Sequence, residues 1–256
     1  MKALIVSTIL GFLAAFERND IKILQSMGYE VHCATNEYYA GKQNYEEFEK
    51  LGVKRHYIPI SRSPLSKSNL TAYKELTKLM REEKFDLIHC HTPIGGVLGR
   101  VAGSACHVPV IIYTAHGFHF YKGAPKKNWL IYYPIEKILS RKTDVLITLN
   151  QEDYDLASKK FHAGKVVRIH GIGIELDRFM SPAKSKLEIR QSLGISENTK
   201  MILSVGALDG RKNHAVIINA LKELKYDNYV YFIAGQGPLK DSLNEIIHSY
   251  GLDDHV

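Results

Sequence analysis

Three short stretches hold the residue types that could do chemistry. Asp86–Arg100 reads DLIHCHTPIGGVLGR, Ala115–Gly123 reads AHGFHFYKG, and Ala207–His214 reads ALDGRKNH. Histidines such as His89, His91, His116 and His119 can bind a metal, hold a proton near neutral pH or hydrogen-bond a hydroxyl. In a strand His89 and His91 share one face and Cys90 takes the other, so the three cannot close on one ion. No carboxylate or further cysteine stands nearby at ligand spacing, which leaves a metal site disfavoured. Nor is GGVLG a dinucleotide loop, which needs G-x-G-x-x-G directly after a strand and an acid about 20 residues on. Gly95 and Gly96 more simply open a helix over Gly95–Ser104, whose free N–H groups offer a weak anion or hydroxyl site. Gly99 reads as a packing position.

The elements that must position these residues alternate in type. Strands are expected at Lys2–Ser7, Glu30–Thr35, Lys54–Pro59, Asp86–Cys90, Val108–Thr114, Asp144–Leu149 and Lys165–Ile169, with amphipathic stretches between most of them. That alternation implies an α/β fold with a parallel, doubly wound sheet, and near-continuous apolar runs such as LIVS and VIIY suit strands covered on both faces. Ligands of such sheets gather at the carboxyl ends of the strands. Gly11, His91 with Gly96, His116 with His119, and Gly171 all follow strands. A second strand–helix series begins after the loop at Gly171–Lys186, and there Lys212 follows one strand while Gly235 and Gly237 follow the next. The expected division is 1–180 and 181–256, the second part supplying too few strands for a whole domain.

Bulk properties narrow the classes. With 256 residues, a net charge of +7 and a pI near 9.1, the chain favours anionic partners such as nucleotide phosphates or an acidic membrane surface. No recognisable nucleic-acid module is present, so nucleic acid is not among the expected partners. Three widely spaced cysteines fit a reducing cytosol and argue against a disulfide scaffold. The apolar opening Ala3–Phe16 has the look of a signal-peptide core, but its Ser7, Thr8 and Gly11 and the pattern that follows favour strand, loop and helix. No run reaches the ~18 apolar residues of a membrane span. Phe118–Lys142 interleaves aromatics with lysines and arginine, which suits either a core-packed amphipathic helix or a patch for an anionic membrane.

Four segments, YTAHGFHFYKGAPKKNWLIYYPIEKILSR, DLIHCHTPIGGVLGR, ITLNQEDYDLA and HGIGIELDRF, resemble the family-4 retaining glycosyltransferases of bacterial capsule and exopolysaccharide synthesis, in their EpsD- and CapM-like branch. The resemblance runs along essentially the whole chain. It implies a GT-B type fold of two Rossmann-like domains, the first on the acceptor side and the second, incomplete here, for the donor. It implies transfer of a sugar, with retention, from a nucleotide-sugar of the UDP-sugar class to a lipid-linked or glycan acceptor, without cofactor or obligatory metal. By the same resemblance His116 lies closest to the chemistry. Gly11, Gly171, Lys212, Gly235 and Gly237 attend the donor, and His91, Gly96 and His119 face the acceptor. A cytoplasmic enzyme, peripheral on the inner membrane face, is the implied location.

Two departures stand out. Ala207 occupies the place of an arginine that grips the diphosphate in many relatives, and His170 replaces a usual asparagine. The family's acidic motif would lie beyond residue 256, so the chain is expected to be a transferase cut short. A binding-only fragment and a GT-B nucleotide-sugar epimerase are the alternatives, whereas an oxidoreductase is disfavoured by the single glycine of the first βα turn.

Overall fold

The computed structural model describes residues 1–36, 48–173, 176, 180 and 183–256. Contacts divide the chain into two compact units, Met1–Ile174 and Glu175–Val256.

The first unit is built on a seven-stranded sheet of β1 (Lys2–Ile9), β2 (Glu30–Asn36), β3 (Lys54–Tyr57), β4 (Leu87–Cys90), β5 (Val110–Ala115), β6 (Val145–Thr148) and β7 (Lys165–Arg168). Their order is β3-β2-β1-β4-β5-β6-β7 and every pairing is parallel. The order reverses between β1 and β4, which makes their carboxyl ends the switch point where such sheets hold ligands. Side chains alternate across the sheet. Leu4, Val6, Ile88 and Cys90 join one core cluster with Leu76, Met80 and Ala102 from the helices Ser68–Glu83 and Pro93–Ala105. Ala3, Ile5 and Cys33 join another with Leu10, Leu13, Ile21 and Leu24 from the helices Leu10–Phe16 and Arg18–Ser26.

Local chemistry shifts several expected boundaries. β1 passes straight into the Leu10–Phe16 helix, so Gly11 stands in a first helical turn and not in a loop. The helix after β4 starts at Pro93, two residues before the expected Gly95, because proline's fixed φ and missing N–H suit a first turn. β3 stops at Tyr57, short of Pro59, which could donate no ladder hydrogen bond.

Glycines let the Pro93–Ala105 helix lie directly on the sheet. A Cβ on Gly96 would stand 2.4 Å from the Tyr113 ring, and one on Gly99 would stand 2.5 Å from Cys90 Sγ. Gly99 is thus a packing glycine, as its spacing suggested. Gly96 has a packing reason as well: the Tyr113 ring of the neighbouring strand occupies the side where a Cβ would stand.

The second unit pairs β8 (Lys200–Val205) with β9 (Tyr229–Ala234) in parallel. Its core gathers Ile218 and Leu221 of the helix His214–Lys222, Leu243 and Ile247 of the helix Lys240–Ser249, and Leu208 and Tyr231. Leu203 and Val205 of β8 are exposed.

Candidate active site

His89 and His91 project from the end of β4 on the face that carries the Leu10–Phe16 and Arg18–Ser26 helices, as the alternation of Cys90 into the opposite core requires. His116 follows β5. Its Nε2 lies 3.1 Å from His91 Nδ1, and the His89 and His91 rings stand 4.1 Å apart. His89 Nε2 meets the Thr114 hydroxyl at 2.8 Å. Phe12 closes the cluster with an edge-on contact to His116, ring centres 4.8 Å apart.

Two acids complete the arrangement, both from the junction of the two N-terminal helices. Glu17 ends the first helix, its N–H bonded to the Leu13 carbonyl, and starts the second, its carbonyl bonded to the Ile21 N–H. Its side chain reaches inward, with Oε1 3.3 Å from His91 Nδ1 and 3.6 Å from His116 Nε2. Asp20 Oδ2 stands 3.6 Å from His89 Nδ1. His91 is fully buried and Glu17 is 4% exposed, whereas the His116 side chain keeps 18% exposure.

Burial governs the protonation of this cluster. It presses His89 and His116 down to about 4 and His91 well below the usual imidazole value, because an imidazolium loses its hydration there. It pushes the Glu17 carboxyl up to about 8, and nearby Asp20 adds to the rise. At neutral pH the imidazoles are therefore neutral and Glu17 retains a proton. Such a group acts through hydrogen bonds, and the partly exposed His116 is its outlet.

The loop that carries His116 is pinned from a neighbouring helix. Asp153 Oδ2 accepts from the Phe118 N–H at 3.0 Å, and Glu152 Oε1 accepts from the Lys122 N–H at 2.6 Å. Both acids sit in the first turn of the helix Gln151–Lys160, where Asn150 caps the Asp153 N–H. They suit the positive end of the helix dipole, and they also fix the loop. At the end of β4, Thr92 adopts φ 61° and ψ 154°, a region costly for any residue but glycine. Its hydroxyl oxygen accepts from the Thr8 N–H at 3.0 Å, which ties the ends of β1 and β4 together.

The other sequence candidates are placed as follows. His91 is fully buried, with His116 Nε2 and Glu17 Oε1 as its neighbours at 3.1 and 3.3 Å. His119 is exposed and packs at a tilt against Tyr132, ring centres 4.8 Å apart, outside the cluster. Gly171 is an exposed turn residue at φ +77°, a conformation that suits glycine. In the second unit, the loops after β8 and β9 are laced by the Gly206 N–H to the Ala234 carbonyl, at 3.0 Å, and the Leu208 N–H to the Gln236 carbonyl, at 2.9 Å. A Cβ on Gly235 would fall 1.9 Å from the Gly206 carbonyl oxygen, and one on Gly237 would fall 2.5 Å from that of Leu208. Both glycines are demanded by this close backbone approach. Lys212 lies against Gly206 with an exposed side chain, while Arg211 pairs with Asp209 at 2.7 Å.

Sequence reasoning missed Glu17 and Asp20, and with them the carboxylates that it found absent around His89 and His91. The available signal was FERND, a charged break in an apolar run where the first helix ends.

Residues 11–150 match the family described as glycosyl transferase 4-like, and residues 185–256 match glycosyl transferases group 1. The chain belongs to the glycosyl transferase 4-like family. It is 38% identical over 263 residues to the Bacillus subtilis protein EpsD, whose name marks it a candidate glycosyltransferase; the match covers 100% of this chain and 66% of that protein. It is 30% identical over 184 residues to an Escherichia coli galactosyltransferase named for UDP-Gal and α-D-GlcNAc-diphosphoundecaprenol, with 70% of this chain and 46% of the relative covered. The chain thus spans less than two thirds of the length of these relatives. Among solved structures, Anabaena HepE in complex with UDP and glucose superposes with a TM-score of 0.74 at 16% identity, covering 100% of this chain and 68% of that one. A Neisseria meningitidis UDP-GlcNAc 2-epimerase bound to UDP-GlcNAc gives 0.67 at 17%, covering 100% and 70%. These likenesses show the GT-B type fold.

Proposed function

We propose that this chain forms the acceptor-side unit and part of the donor-side unit of a retaining glycosyltransferase, moving a sugar from a UDP-sugar to a lipid-linked or glycan acceptor in cell-surface polysaccharide synthesis. The observation that carries this reading is a partly exposed His116 at the end of β5, beside the switch point of a sheet, in a chain whose residues 11–150 match the transferase family. In the proposed reaction the bond from the anomeric carbon to the diphosphate breaks. The acceptor oxygen bonds to that carbon from the same face, and its proton passes to the departing phosphate. A neutral His116 hydrogen-bonds the transferred sugar, and Lys212 offsets charge on the diphosphate. The relatives named for UDP-sugars and undecaprenol-linked acceptors support the substrate classes. Incubating the 256-residue chain with UDP-sugars and a diphosphoundecaprenol acceptor tests this reading, and a glycosylated product would bear it out. His116→Ala should lower turnover about tenfold, the worth of one hydrogen bond. Product from donor alone would instead identify an epimerase, and donor or acceptor binding without turnover would identify a binding fragment.

The proposal extends to the inner face of the membrane. The helix Lys126–Ser140 buries only Glu136, Leu139 and Ser140, and it leaves Leu130 77% exposed and Ile131, Ile135 and Ile138 exposed among its lysines. Among the described residues no helix is long and apolar enough to cross a membrane. An apolar surface rimmed by cations suits shallow insertion among anionic lipids. Leu130→Glu should weaken sedimentation with anionic liposomes about tenfold, since burying a leucine contributes ~1.5–3 kcal/mol. Equal binding by wild type and variant would remove this helix from membrane contact.

A further inference from the structure

Glu17 Oε1, buried beside two imidazoles, has no hydrogen-bond partner among the described residues. Buried polar atoms are nearly always satisfied, so an orphaned one in this position calls for an occupant. Its two neighbours are His91 Nδ1 at 3.3 Å and His116 Nε2 at 3.6 Å, themselves 3.1 Å apart, which makes a nearly equilateral triangle of potential ligands. A zinc-like cation about 2.05 Å from each corner would see them separated by about 100–120°, close to tetrahedral. A water about 2.8 Å from each would see them at about 70–80°, too narrow for its own hydrogen-bonding directions.

We propose that Glu17, His91 and His116 form a binding site for a divalent transition cation of the zinc type, with the fourth position open. Two nitrogens and one carboxylate oxygen suit such ions and not magnesium or calcium, which take oxygen. Two other groups are less suitable. Glu83, near His32 and His56, already binds the ammonium groups of Lys2 and Lys54 at 2.6 and 2.8 Å, and those charges repel a cation. Asp20 and His89 could recruit only the same His91, so the two groups cannot both be filled, and the Asp20 side chain keeps 40% exposure to water.

The outer nitrogens His91 Nε2 and His116 Nδ1 have no partner to orient them. Missing outer-shell support weakens metal sites by about 10- to 100-fold. The site is accordingly an exchangeable one. If His116 contacts the sugar as proposed above, a bound ion competes with that contact; the binding itself does not depend on that reading.

The test is a Co²⁺ titration of the chelator-stripped 256-residue chain, followed by visible absorption and by Zn²⁺ displacement. One equivalent should give d–d bands of a low-coordinate site, and Zn²⁺ should abolish them. Glu17→Gln and His116→Asn, each checked by circular dichroism, should raise the dissociation constant at least tenfold, while His56→Ala should leave it unchanged. The proposal is overturned by absence of saturable one-equivalent binding, which would mean that a shared proton fills the triangle. Loss of binding in His56→Ala, or retention in both Glu17→Gln and His116→Asn, would overturn it as well.

Discussion

Glu136→Ala should destabilise the first unit by ~3–5 kcal/mol, the loss expected when one partner of a buried ion pair is removed. Arg100 is 1% exposed. Its NH1 and NH2 groups donate to the two carboxylate oxygens of Glu136 at 2.9 and 3.1 Å, and its Nε donates to the Gly96 carbonyl at 2.8 Å. The guanidinium lies 3.8 Å from the centre of the Tyr113 ring. A guanidinium cannot shed its proton to escape burial, so without Glu136 it stays charged and unpaired. Glu136→Gln keeps one acceptor and should cost less than Glu136→Ala. The double variant Arg100→Met with Glu136→Leu should be more stable than either Glu136→Ala or Arg100→Met alone, because the stranded charge is gone. Urea denaturation measures all of these. A loss under ~1 kcal/mol for Glu136→Ala would show that water reaches the pair.

This pair also marks the limit of what the chain discloses before folding. Glu136 stands in a helix of mixed lysines and aromatics and reads as one more solvated charge; its partner is 36 residues away on another helix. The strands were legible because a parallel sheet covered on both faces needs short, continuous apolar runs, and the placing of His89 and His91 opposite Cys90 followed from alternation alone. What closes around those histidines was not legible. Glu17 and Asp20 reach them because the alternating core of β1 fixes where the helix junction sits, a relation between residues 69 and 74 positions apart. Gly96 was only half legible for the same reason. Beside a helix start it resembles an anion loop, and only the Tyr113 ring of the next strand reveals that the space was needed for packing as well.

The cluster around Glu17 should give the metal-free chain a stability maximum near pH 6.5, measured as denaturation midpoints with chelator present. The histidines set the acid side. His89 and His116 titrate at about 4 when folded and His91 lower still, against an ordinary value of 6.5. Between pH 4 and 6.5 the unfolded chain binds more protons, so stability rises with pH. Glu17 sets the alkaline side. Its folded value of about 8 lies above the ordinary 4.5, so the folded chain binds the extra proton between those limits and stability falls as pH rises. Below pH 6.5 three histidines outweigh one glutamate; above it the unfolded histidines lose their remaining protons over about one pH unit and Glu17 takes over, at up to about 1.4 kcal/mol per pH unit. From pH 6.5 to 8 the Glu17 contribution falls by about 1.6 kcal/mol while the unfolded histidines, half protonated at 6.5, return about 1.2, so the net decline stays under ~1 kcal/mol. Glu17→Gln is neutral at every pH and should abolish that decline while leaving the acid side in place. Parallel wild-type and variant profiles above pH 6.5 would show that Glu17 is ionised in the folded chain, compensated by a charge on His91 or His116.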